Sequence, residues 1–230
     1  IGKYVTIGQD CQLHSHVVID GHTEIGEANT IYPFASLGLR TQDLKWKGGE
    51  SCTRIGDRNI FREYITVHSG TDDGDATVIG DDNNFLAYTH VAHDCQLGNR
   101  IVMSNVATLA GHVIVEDRAI IGGLAAVHQF CRIGSISIIG GCSKVVQDVP
   151  PYMMADGNPA ATRGLNKEGL KRNKVSEESQ AALKQGYRIL FREGLTTANA
   201  VEKVRSEVSS SPEVEHLLEF IQSSERGIAK

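Results

Sequence analysis

"LGNRIVMSNVATLAGHVIVEDRAIIGGLAA", residues 97–126, decides the fold. Cut into sixes it reads LGNRIV, MSNVAT, LAGHVI, VEDRAI, IGGLAA. The first residue of each hexad is apolar: Leu97, Met103, Leu109, Val115 and Ile121. The fifth is small or β-branched: Ile101, Ala107, Val113, Ala119 and Ala125. A period of six matches neither a 3.6-residue helix nor a simple hairpin. It matches a parallel β-helix, in which each hexad is one short strand plus a corner and three hexads close a coil of about 18 residues. The apolar first residues then point inward and stack between coils, so stability is built up from neighbour contacts.

The same frame extends in both directions. It runs over 1–36, resumes at 55–66, and runs from 79 to 150. With the partial hexads at Leu37 and Val67, 22 hexads begin with an apolar residue in a chain that is 40% hydrophobic. Independent placement would produce that roughly once in a billion sequences. Cys11, Cys95 and Cys131 all fall at the fifth position and read as packing residues. Glycine follows the first residue in ten hexads, where it is expected to relieve strain at the corners.

Two segments break the frame, at 39–54 and 71–78. From Leu37 to Ile55 is 18 residues, so twelve are inserted; from Val67 to Ile79 is twelve, so six are inserted. Excising both puts the hexads that start at 25, 55 and 79 on one face. Their fifth residues are Asn29, Asn59 and Asn83, an asparagine ladder of the kind in-register strands favour. The same register puts His68, His93, His112 and His128 on one further face, each from a different coil, with His90 closing the strand before it. A histidine ridge along one edge is expected, and both loops leave from near that edge. Long loops in a compact fold commonly carry function. Two chemistries suit the ridge. A neutral imidazole is a general base near pH 7; three imidazoles can hold zinc with a position open for water.

Composition narrows the classes. Net charge is −5 with a pI near 6.0, which points away from nucleic acid. Five cysteines without a CxxC pair suit a reducing cytoplasm. No apolar run has the length of a membrane span and no secretory leader is legible. The chain opens without Met and within the repeat pattern, so further coils upstream are expected. The β rhythm is expected to end at "DVPPY" (148–152), where prolines bar ladder pairing. Beyond it the pattern is helical. Ser176 is an N-cap followed by acids, Gly194 suits a C-cap, and Thr197 and Ser211–Pro212 mark further helix starts. The division expected is a β-helix over 1–165 and a helical domain over 166–230. Arg163, Lys167, Lys171, Arg172 and Lys174 form a basic cluster that can dock an acidic partner.

"THVAHDC" (89–95), "TLAGHV" (108–113), "AIIGGLAAVHQF" (119–130), "GGCS" (140–143), "QDVPPY" (147–152) and "NKEGLKR" (166–172) resemble, in order and over nearly the whole chain, the UDP-N-acetylglucosamine O-acyltransferase family of lipid A synthesis. The resemblance implies a mainly β fold, a left-handed parallel β-helix with a C-terminal α-helical domain. It implies a cytoplasmic homotrimer with active sites between subunits. The implied reaction moves an R-3-hydroxyacyl group from acyl carrier protein to the 3-hydroxyl of UDP-N-acetylglucosamine, without cofactor or metal. His93 falls on the family's general base and the Gly111 N–H on its oxyanion donor; Asp94, beside His93, either orients it or is a corner-turn residue. Asp43, Lys45, His68, His90, His112 and Gln129 match positions lining the sugar and acyl site. Asn166, Glu168 and Arg172 match nucleotide contacts. Gly141 matches the position that sets acyl length, where glycine leaves room for a longer chain. Members usually carry further coils before the point at which this sequence opens. Three rival readings remain: the N-acyltransferase of the same pathway, which normally has an added uridine-binding domain; a zinc γ-carbonic anhydrase-like hydratase; and a non-catalytic trimeric binding protein.

Overall fold

The computed structural model describes residues 1–230. Three parallel sheets form the walls of a triangular coil. The first wall stacks Thr6–Ile7, His22–Ile25, Cys52–Ile55, Ala76–Ile79, Gln96–Leu97, Ile114–Val115 and Arg132–Ile133. The second begins at Gln12–Leu13 and the third at Val18–Ile19. This is a left-handed parallel β-helix with a C-terminal helical part. Pairing follows the hexad frame: Ile55 pairs with Ile79, Leu37 with Val67, and Leu109 with Val127. From Ile19 to Val145, every first-position residue is buried in one continuous core. Each such side chain contributes about 1.5–3 kcal/mol by leaving water.

The asparagine ladder is present. Asn29 Oδ1 accepts the Asn59 N–H, Asn59 Oδ1 accepts the Asn83 N–H, and Asn83 Oδ1 accepts the Ile101 N–H, each at 2.8–2.9 Å. All three side chains are buried, so the ladder satisfies corner donors that would otherwise be orphaned.

The glycines do a different job from the one expected. In most hexads the left-handed corner residue is the fourth, and there it is not glycine: Asp10, Arg58, Tyr88, Asp94, His112 and Phe130 all have φ near +60°. The second-position glycines matter for close approach instead. A Cβ on Gly8 would sit 2.5 Å from the Gly26 carbonyl oxygen. Coil-to-coil spacing, not backbone conformation, therefore selects glycine there.

The prolines also do less than expected. After Pro150 and Pro151, Met153–Gly157 rejoins the second wall in parallel against Ile138–Ile139, then turns back antiparallel as Ala160–Leu165. The prolines occupy only the turn, so later N–H groups remain free to pair.

Four helices follow: α1 Lys167–Arg172, α2 Glu177–Arg192, α3 Thr197–Glu207 and α4 Pro212–Gln222. Ser176 and Ser211 cap α2 and α4 through their hydroxyls. Thr196, one residue before the expected start, caps α3. Gly194 takes φ +69° just past the end of α2. The helices pack Leu183, Ile189, Leu190, Val204, Leu217 and Leu218 onto Ile136, Tyr152 and Met153. The division expected at 165/166 thus crosses a shared core. The tail returns to the coil, where the Ala229 N–H donates to the Asp148 carbonyl.

Candidate active site

The candidate site lies at the corner between the third and first walls. His93, Gly111 and Gln129 are third-position residues of three successive coils there; Asp94, His112 and Phe130 are the fourth. His93 Nδ1 lies 2.7 Å from Asp94 Oδ2, and the side-chain exposures are 15% and 7%. A carboxylate only accepts, so Nδ1 carries the proton and Nε2 keeps its lone pair. Asp94 is fixed in turn: its Oδ1 accepts the Thr71 N–H at 3.1 Å, and its own N–H donates to Thr77 Oγ1 at 2.8 Å. Its φ is +60°. Asp94 is therefore both a corner residue and the group that orients His93.

Gly111 lies under the imidazole. A Cβ there would be 2.5 Å from His93 Nε2, so the ring occupies the space that any side chain would need. Ala110 and His112 on either side donate their N–H groups to Val127 and His93 carbonyls, while the Gly111 N–H has no protein acceptor. Above the ring, His112 packs edge-on to His93 at 5.2 Å and places Nε2 3.6 Å from Asp94 Oδ2. Phe130 stacks on His112 at 4.7 Å, a contact that sequence reading missed.

His68 and His90 form the lower part of the cluster, with ring centroids 5.2 Å apart. Burial, followed by repulsion from His68 and His93, holds the His90 pKa down at about 4. Burial, with repulsion from His93, lowers that of His68 as well. Both are neutral at pH 7 and act as dipoles rather than charges. Thr66 Oγ1 meets His90 Nδ1 at 2.7 Å, and His68 Nδ1 is buried without a partner.

The first inserted loop brings Asp43 to the other side of His93, with Oδ2 3.9 Å from Nε2. Asp43, Lys45, Asp94 and His112 line one cleft of roughly 410 Å³, walled by Leu44, Trp46, Thr71, Asp72 and Asp75. The ligand-type atoms of His93, Asp94 and His112 lie within 4.8 Å of one another; only two of the three are imidazoles, where the zinc reading needed three.

Other expected residues lie apart from this cluster. His128 is exposed and its Nδ1 faces the Gln129 carbonyl, so the ridge stops at His112. His68 holds the same second position and is buried in the cluster, so place in the hexad does not by itself decide where the ring lies. Gln129 sits one coil above Gly111 but is exposed and makes no side-chain hydrogen bond within the chain. Asn166 is mostly buried and committed to structure: Oδ1 caps α1 through the Gly169 N–H, and Nδ2 donates to the Ile136 carbonyl. Glu168 and Arg172 are exposed on α1. Gly141 lies at a different corner, after the second wall, stacked 3.3 Å (as a Cβ) from the Gly123 carbonyl oxygen. One chain does not bring Gly141 to His93.

The profile of UDP-N-acetylglucosamine O-acyltransferase, domain 2, matches residues 148–229. The acyl-[acyl-carrier-protein]–UDP-N-acetylglucosamine O-acyltransferase of Thermodesulfovibrio yellowstonii is 52% identical over 100% of this chain and 90% of its own length. The chain belongs to the UDP-N-acetylglucosamine O-acyltransferase family. Solved structures agree. LpxA of Acinetobacter baumannii superposes with a TM-score of 0.95 at 43% identity, covering 100% of this chain and 92% of that one. LpxA of Bacteroides fragilis gives 0.90 at 37% identity, covering 99% and 96%. The family match reaches well beyond the region of its profile, because the histidine corner lies entirely before residue 148.

Proposed function

We propose that this O-acyltransferase moves an R-3-hydroxyacyl group from acyl carrier protein to the 3-hydroxyl of UDP-N-acetylglucosamine, as the first step of lipid A synthesis, with His93 as general base. One observation carries the reading: an imidazole whose Nδ1–H is held by a buried carboxylate and whose Nε2 is turned toward Asp43, a residue of the adjoining cleft. Nε2 takes the proton as the sugar oxygen attacks the thioester carbonyl. Asp94, and Asp43 beyond Nε2, favour the imidazolium that forms. The Gly111 N–H is free to donate to the carbonyl oxygen as it becomes negative. Collapse of the tetrahedral species expels the pantetheine thiolate, which His93 reprotonates. A thioester is already activated, so the step calls for no cofactor or metal.

The second half of the site is supplied by another copy in this reading, as part of a homotrimer. Two features support it. Gly141 and α1 lie away from the His93 corner. The corner after the second wall also exposes a column of apolar side chains, Phe34, Tyr64, Tyr88, Val106 and Leu124, with Phe34, Tyr64 and Tyr88 stacked at 4.8–5.0 Å. Such a patch is uncommon on a monomer. Arg163, Lys167, Lys171, Arg172 and Lys174 are all exposed and suit an acidic carrier protein. No helix is long and apolar enough to cross a membrane, and all five cysteines are unpaired, which suits a cytoplasmic site of action.

The test pairs UDP-sugars with a panel of acyl carrier protein thioesters and reads products by mass spectrometry. Acyl-UDP-N-acetylglucosamine is expected, and His93→Ala should abolish turnover while the assembly stays intact. Turnover retained in that variant would remove His93 from the mechanism.

A further inference from the structure

Asp94 belongs to the coil, but Asp43 lies on a loop, and a loop carboxylate keeps its place only if something fixes it. The hydrogen bonds around His93 show what does. Thr71, in the second inserted loop, gives its N–H to Asp94 Oδ1 at 3.1 Å. Its Oγ1 lies 3.1 Å from Thr41 Oγ1 in the first inserted loop. Thr41 Oγ1 in turn accepts the Asp43 N–H at 3.0 Å. Asp43 Oδ2 faces His93 Nε2 at 3.9 Å, and Asp94 Oδ2 binds His93 Nδ1 at 2.7 Å. The contacts close a ring around the imidazole.

Both threonines are buried, at 5% and 6% exposure, although each sits in a segment inserted into the hexad frame. A buried hydroxyl pair of this kind is costly to break from one side, because the remaining partner is left unsatisfied. The two loops are also joined at their far end, where Asp73 Oδ1 accepts the Glu50 N–H at 2.7 Å. The threonine bridge is the part of that junction that reaches the chemistry.

We infer that Thr41 and Thr71 are positioning residues: their hydroxyl bridge couples the two loops and holds Asp94 and Asp43 on opposite nitrogens of His93. The inference rests on His93 being the base. It gives the two interruptions of the β-helix a shared purpose, since neither loop alone can set both carboxylates.

The test is a double-mutant cycle on the full-length protein. Thr41→Val and Thr71→Val keep shape and remove the hydroxyl; Thr41→Ser and Thr71→Ser keep the hydroxyl. Each Val variant is expected to lose about 10-fold in kcat and to melt below the parent, since the hydroxyl that remains is left unsatisfied. The double variant should lose about 10-fold as well, because one bridge is removed either way; independent effects would multiply to about 100-fold. The Ser variants should restore turnover. Either Val variant with its Ser partner suffices should the other fail to fold. Val variants with parental kcat beside an inactive His93→Ala would overturn the bridge and leave the base in place. Multiplicative losses without Ser rescue would reduce the threonines to a structural role and overturn it as well. An active His93→Ala would overturn both the base and the bridge.

Discussion

Gly111→Ala tests the packing of the base on the coil. A methyl group on Gly111 would sit 2.5 Å from His93 Nε2 and 3.0 Å from Nδ1. Ordinary carbon–nitrogen contact needs nearly 3.5 Å, so the ring must withdraw by about 1 Å, a displacement worth about 10²-fold in rate. That corresponds to about 2.7 kcal/mol of lost transition-state stabilisation. Withdrawal also strains the 2.7 Å bond to Asp94, which is itself fixed by Thr71 and Thr77. The Gly111 backbone does not lie in the left-handed region, so alanine fits the main chain and keeps the N–H. The expected result is a fall in kcat of about 10²-fold, measured with a saturating acyl carrier protein thioester, and a lowered melting temperature. The clash needs the ring. Introducing Gly111→Ala into a His93→Ala background should therefore cost no further stability. A Gly111→Ala enzyme with parental kcat would refute the stacking argument. So would an equal loss of stability in both backgrounds.

Three further outcomes follow from the same coordinates. Gly141→Met should shift preference toward shorter acyl chains, because only the Gly123 carbonyl oxygen bounds the space beside Gly141; competition between long and short thioesters reads this directly. The seam between coil and helices should depend on pH. The Glu116 hydrogen bond raises the His216 pKa, with Nε2 at 3.0 Å. Burial is the largest single effect and would raise the Glu116 pKa, but the hydrogen bond and charge of His216 and the two Ser135 hydrogen bonds together outweigh it and the net shift is downward. The histidine's contribution is complete below its ordinary pKa of about 6.5 and is lost as pH rises through the raised value. The carboxylate's contribution is present above its ordinary value and is lost as pH falls through the lowered one. Melting temperatures should therefore decline on the alkaline side in the parent, and His216→Ala should flatten that limb. Finally, exhaustive chelation should leave acyl transfer unchanged; stoichiometric zinc in elemental analysis, with activity lost on chelation, would overturn the metal-free mechanism.

Much of this was legible without coordinates because the hexad period is rigid. Once Ile55 and Ile79 are aligned, Asn29, Asn59 and Asn83 must stack, and Leu109 must lie against Val127; the observed pairings follow that frame. The same rigidity brought His93 and His112 together from separate coils. It overextended the column to His128 because spacing fixes a residue's height on the coil but not the direction its side chain leaves. Glycine was misjudged for a related reason. Its frequency suggested bent corners, whereas the second-position residue is limited by the coil beneath it.

The sequence by itself determined the architecture, the register of the coil and the corner at which the chemistry sits, because each depends on a period of six that local patterning displays. The tertiary structure decided how that corner is assembled. Thr41, Asp43 and Thr71 lie on segments inserted into the period, so no repeat fixes their place. Asp94 could be read equally as a turn residue or as a partner for His93 until its two oxygens were seen to have separate donors. Hydrogen bonding is directional and short-ranged, and loops close at many geometries; those contacts exist only once the whole chain has folded.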